Sequence, residues 1–92
     1  MKTLRTLKAE LLADADTRAE YDAMAGEFSM ARELIAARSR AGLTQLDVAQ
    51  RMGTTQSTIA RLESGGRMPS IRTVQRYAQA VGARAVVHLE AA

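Results

Sequence analysis

Few side chains in this 92-residue chain are equipped for covalent chemistry. There is no cysteine, so neither a disulfide frame nor a thiolate metal site can form, and His88 alone cannot supply a histidine metal cluster. The carboxylates form no paired site with an obvious base, and His88 falls in a short alternating tail, so general acid–base catalysis has no residue set. No enzymatic activity and no cofactor are expected. What remains is recognition by charge and hydrogen bonding. Residues 28–92 hold nine arginines and no lysine against four acids, Glu33, Asp47, Glu63 and Glu90, a net of +5. Residues 1–27 hold four basic side chains against six acids, a net of −2. An acidic front on an arginine-rich body points to two different partners, one of them bearing phosphate.

The body is organised around residues 44–65. Thr44 and Asp47 have the spacing of a capping box and open a helix over 45–52; Thr55 caps a second over 56–63. Ala49 is small where the two helices must cross, Gly53 stands where the chain turns, and Ile59 and Leu62 lie three apart on the second helix. A bulky residue at 49 would pry the helices apart, and a sharp turn at 53 needs a positive φ that glycine takes without penalty. This is the pattern of a helix-turn-helix.

Other elements must hold that unit in place. A helix is predicted from about Phe28 to Ala41, with Phe28, Ala31, Leu34, Ile35 and Ala37 inward and Gly42 at its end. After the loop with Gly65 and Pro69, Ser70 caps a helix whose inward face is Ile71, Val74, Tyr77, Ala78 and Val81, ending at Gly82. Ahead of the body, Leu4, Leu7 and Leu11 make an apolar stripe on a helix over 3–13, and a second short helix over 17–25, with Tyr21 and Met24 on one side, is expected to stop at Gly26. The tail from Arg84 to Glu90 alternates and is rich in valine, which predicts a strand, and a lone strand must find a mate. The fold expected is mainly α: a five-helix body preceded by two short helices and followed by one C-terminal β-strand. Three regions result: 1–27, 28–82 and 83–92. Ala85, Val86, Val87, His88 and Leu89 would pair across a homodimer. No apolar run approaches the ~20 residues a membrane span needs, and the charged start is no signal-peptide core, so a cytoplasmic, nucleoid-associated protein is expected.

The body resembles the lambda-repressor-like, Xre-type helix-turn-helix family. The residues that carry the resemblance are Arg38, Gly42 to Gln45, Val48, Ala49, Gly53, Thr55, Gln56, Ser57, Ile59, Leu62, Glu63, Gly65 and Pro69. It implies that the helix over 56–63 enters the major groove of double-stranded operator DNA, with Gln56, Ser57 and Arg61 at the base-reading positions. It further implies Gln45 on a phosphate and supplementary backbone contacts from Thr55 and Thr58, with Arg51, Arg67 and Arg72 as phosphate partners. Arg38 and Glu63 it assigns to a structural ion pair. Taken with the front, the chain is similar to HigA-type antitoxins of bacterial toxin–antitoxin pairs. That resemblance implies repression of its own operon at a palindromic operator and neutralisation of a basic RelE/HigB-like toxin, a ribosome-dependent ribonuclease. Leu4, Leu7, Leu11, Tyr21 and Met24 would meet the toxin's apolar surface, and Glu20 and Asp22 its basic one. A stand-alone Xre-type repressor without a toxin is the alternative.

Overall fold

The computed structural model of the protein describes residues 15–91, with side chains from Met24 onward. Among them are four α-helices and no β-strand: α1 (Ala15–Arg40), α2 (Gln45–Met52), α3 (Gln56–Leu62) and α4 (Ile71–Ala80). The mainly α class stands, but the five-helix body and the closing strand do not. The first expected helix, with Leu4, Leu7 and Leu11, lies outside the described residues.

The helix expected to stop at Gly26 instead runs straight through it into the body. One glycine costs a helix interior only about 1 kcal/mol relative to alanine. The neighbours Ala23, Met24, Ala25 and Glu27 are good helix formers, no proline intervenes, and 26 continuous residues share one nucleation cost. The tail fails as a strand for the reason that made it need a mate: in a single chain, residues 83–91 find no ladder partner. Ala85, Val86 and Val87 instead line a groove of about 530 Å³ with Met30, Ala37 and Val74 of α1 and α4.

The shorter helices begin where their caps dictate. Thr44 accepts from the Asp47 N–H at 3.0 Å, and the Asp47 carboxylate accepts from the Thr44 N–H at 2.8 Å, closing the capping box of α2. Those hydrogen bonds hold the Asp47 carboxyl below its ordinary range, the backbone donor first. Thr55 and Ser70 cap α3 and α4 by accepting from Thr58 and Thr73. Gly53 ends α2 at φ 67° and ψ 36°, the left-handed region, and turns the chain into α3.

Packing joins α2 to α3 and both α1 and α2 to α4. The core is Leu34, Val48, Ala49, Met52, Ile59, Tyr77, Ala80 and Val81, with Met30, Ala37, Leu43, Leu62 and Val74 against it. Ala49 is 1% exposed at the crossing. Two residues expected inward lie further out: Phe28 is 46% and Ile71 59% exposed. Phe28 covers Gly65, whose φ is +76° and where a Cβ would stand 2.5 Å from the Phe28 ring. Only glycine satisfies both constraints.

Candidate nucleic-acid interface

Ile59 is fully buried, so the opposite side of the short, roughly two-turn helix α3 has to face out. Ser57 and Arg61, one turn apart, are exposed on it, Gln56 is exposed at the helix's first position, and Thr58 is half-buried. At its start, Thr55 Oγ1 lies 3.1 Å from Ser57 Oγ and 3.0 Å from Thr58 Oγ1, so the cap ties three hydroxyls into one cluster. Arg67 and Arg72 are exposed on the loop beyond α3 and at the start of α4. This outer surface offers amide, hydroxyl and guanidinium groups, the donors that read base edges and phosphates.

Behind the surface lies a buried polar knot. Glu63 follows α3 directly, and its side chain accepts from Arg38 Nη2 at 2.8 Å and from Arg38 Nε at 2.9 Å. It accepts also from Tyr77 Oη at 2.7 Å and from Gln45 Nε2 at 3.2 Å. Arg38 Nη1 donates to the Leu43 carbonyl at 3.1 Å, and Tyr77 Oη lies 3.0 Å from the Leu34 carbonyl. One carboxylate therefore ties α1, α2, α3 and α4 together. Among the described residues no buried side-chain polar atom lacks a partner.

The electrostatics follow from that geometry. Burial on its own would raise the Glu63 pKa, but donors from Arg38, Tyr77 and Gln45 outweigh it and hold the carboxyl below the usual glutamate range. Desolvation and the adjacent carboxylate push the Tyr77 phenol well up. The hydrogen bond to Glu63 raises Arg38. At neutral pH the knot is an ionised pair with a neutral tyrosine.

Arg51, expected on phosphate, donates from Nη1 to the Ala80 carbonyl at 2.8 Å and so caps the end of α4. Arg76 reciprocates, donating from Nη2 to the Met52 carbonyl at 2.7 Å at the end of α2. Each guanidinium satisfies carbonyls a helix end leaves unpaired. Sequence reading did not single out Arg76 or place Tyr77 and Gln45 on Glu63. The one available signal was Tyr77 itself, since a phenol on an inward helix face must find a hydrogen-bond partner. His88, in the tail, lies 3.8 Å from Glu90, and both are exposed. Tyr21, Glu20 and Asp22 fall in α1, their side chains outside the described residues; Met24 is 53% exposed. Among the described residues no three His, Cys, Asp or Glu side chains form a metal cluster, and no helix is long and apolar enough to cross a membrane.

A capped helix, a left-handed glycine turn and a second helix with a buried inner and polar outer face define a DNA-binding helix-turn-helix domain. The chain belongs to the helix-turn-helix family, whose model matches residues 34–85. It is 44% identical over 57 residues to the antitoxin HigA1 of two strains of Mycobacterium tuberculosis, covering 62% of this chain and 38% of that protein. It is also 44% identical over 45 residues to an uncharacterized HTH-type transcriptional regulator of Methanothermobacter thermautotrophicus, covering 49% of this chain and 65% of that protein. The chain thus spans well under half the length of the HigA1 proteins it matches. No solved structure matches it.

Proposed function

We propose that the chain is a HigA-type antitoxin that represses its own operon by binding a palindromic operator through α2 and α3, and that its front, residues 1–27, neutralises a basic, mRNA-cleaving toxin. The observation that carries the DNA reading is the outward row of Gln56, Ser57 and Arg61 on a helix whose inner face is closed by Ile59. Glutamine can pair with adenine and arginine with guanine, each good pair worth about 1 to 3 kcal/mol of discrimination. Gln45, Thr55, Thr58, Arg67 and Arg72 add backbone contacts, and Arg51 does so only with the donors its Ala80 bond leaves over. Two copies would address half-sites about 34 Å apart.

The kinship to proteins named antitoxin HigA1 supports the toxin reading. So does the half-exposed apolar pair Met24 and Phe28, one turn apart on α1. The decisive experiment has two arms. A duplex selected by the wild-type protein from random DNA should lose about tenfold or more in affinity with Arg61→Ala, together with sequence preference at one position. Unchanged affinity and preference would reject the recognition surface. Co-expression with the product of an adjacent small basic reading frame should relieve growth arrest, and failure to relieve it leaves the stand-alone repressor.

A further inference from the structure

We propose that Glu63, which is 8% exposed and does not face DNA, is a positioning residue for DNA binding: it aims the Gln45 amide at the phosphate that Gln45 contacts. The inference rests on the DNA reading above and deepens it. A carboxamide presents either of two faces, an oxygen that a phosphate repels or an NH2 that it attracts. Left alone, a half-exposed glutamine at the first position of a helix samples both. Glu63 removes the choice. An ionised carboxylate only accepts hydrogen bonds, so the Nε2 end of Gln45 must turn toward it, as the 3.2 Å contact records. One of the two Nε2 hydrogens is consumed there, and the second is left in the amide plane, directed away from the carboxylate.

The charge arrangement lets this work. A bare carboxylate beside a DNA phosphate would weaken binding, but Arg38 grips Glu63 through two nitrogens at 2.8 and 2.9 Å and offsets its charge. Burial and the Arg38 and Tyr77 donors fix the carboxylate, so the amide is held before DNA arrives and its ordering cost is met in folding. Arg38 also grips the Leu43 carbonyl, one residue before the α2 cap, so the platform carrying Gln45 is set by the same guanidinium.

The test is a double-mutant cycle on the full chain, read as affinity for the selected duplex and as thermal midpoint. Glu63→Asp keeps the charge but draws the acceptor back by one methylene: the long Arg38 side chain, which reaches both carboxylate oxygens, can follow it, whereas Gln45, held by one oxygen at 3.2 Å, loses it. Gln45→Ala should weaken binding about threefold or more, Glu63→Asp by a similar factor, and the double variant by scarcely more than the worse single. Ser70→Ala is the structural control: it removes the α4 cap, away from the carboxylate, so it should lower the midpoint while its effect on affinity multiplies independently with Gln45→Ala. If Glu63→Asp and Gln45→Ala multiply as independent losses, Glu63 acts through stability alone and the inference is overturned, with the DNA reading intact. If Gln45→Ala has no effect while Arg61→Ala does, the phosphate role of Gln45 falls and the inference with it. If neither Arg61→Ala nor Gln45→Ala matters, the DNA reading itself has failed. Should Glu63→Asp not fold, Glu63→Gln carries the cycle under the same criteria.

Discussion

The helix-turn-helix and the two ends of the chain solve opposite problems. Residues 44–65 have their polar groups met within the body: each helix has a side-chain cap, a buried apolar face and a polar outer face, and the carboxylate behind them has four protein donors, three of them from α1 and α4. The ends leave work undone. Met24 and Phe28 on α1 are 53% and 46% exposed, and Val86, Val87 and Leu89 in the tail are 77%, 63% and 89% exposed. A unit that closes on itself can present polar groups outward without collapsing on them, whereas exposed apolar ends have a use only with something laid against them. The molecule thus sets a capped, polar face against exposed apolar side chains on α1 and in the tail.

The sharpest way to break that contrast is to open the knot. Arg38→Ala leaves a buried carboxylate without its counter-charge, and removing one partner of a buried pair costs about 3 to 5 kcal/mol. Because Arg38 is still 18% exposed at its side chain, water can reach the vacated place, so the low end is expected. Chemical denaturation measures it, and a loss near zero would mean that the knot does not hold the helices together. Next in size is Gly65→Ala. The new Cβ would meet the Phe28 ring at 2.5 Å at a φ of +76°, an overpacked and strained site costing about 1 to 3 kcal/mol. Adding Phe28→Ala should return part of the loss by removing the clash. A double variant no more stable than Gly65→Ala alone would put the cost in the backbone angle.

These two sites also mark how far sequence reading reaches. Thr44, Thr55 and Ser70 announce their caps by local spacing, Gly53 and Gly82 announce turns, and Ala49 and Ile59 announce burial by helical period, because each signal is carried within a few residues. What the knot adds is contact across long separations: Glu63 meets Arg38 25 positions earlier, Gln45 18 earlier and Tyr77 14 later. The Arg38–Glu63 pairing was readable only through resemblance, Tyr77 signalled only that an inward phenol needs some partner, and Gln45 gave no sign of Glu63. Arg51 and Arg76 look in sequence like any surface arginine, since a backbone carbonyl 29 or 24 residues away has no sequence signature. Gly26 misled for a different reason: a stop signal about 1 kcal/mol deep cannot end a helix with strong formers on both sides. The tail misled because strand propensity is no strand until a partner supplies the ladder.

Smaller than either core change is the loss of a cap. Thr44→Ala removes one half of the α2 capping box and should cost about 1 kcal/mol in thermal or urea unfolding. The same variant should raise the Asp47 pKa only part of the way, since it removes the Thr44 hydroxyl while the larger depressing donor, the residue 44 backbone N–H, remains. Acid titration tests the knot separately. The Glu63 carboxyl is held below its ordinary 4.5, so its contribution is fully present above the unfolded value and is lost as pH falls through the folded one. Glu63→Gln should therefore flatten the decline of stability in that acid window while lowering stability at neutral pH. An unchanged acid limb would show that other carboxylates govern it. Tyr77 acts with the opposite sign: raised above the ordinary 10.0, it gives stability present below that value and lost as pH climbs past it.

The smallest effect on folding should come from the ends, and there the contrast is sharpened by a result near zero. Met24→Ser and Leu89→Ser replace side chains 53% and 89% exposed, so each should move unfolding by no more than about 0.5 kcal/mol. If Met24 belongs to a protein-binding edge, the same substitution that leaves unfolding alone should weaken capture of the co-expressed basic partner and leave affinity for the selected duplex unchanged. Arg61→Ala should do the reverse. Two surface variants with crossed losses would separate the DNA face from that edge. A Met24→Ser protein that loses stability by a kilocalorie or more would instead make that part of α1 an extension of the core, and its exposed methionine a packing residue rather than a docking one.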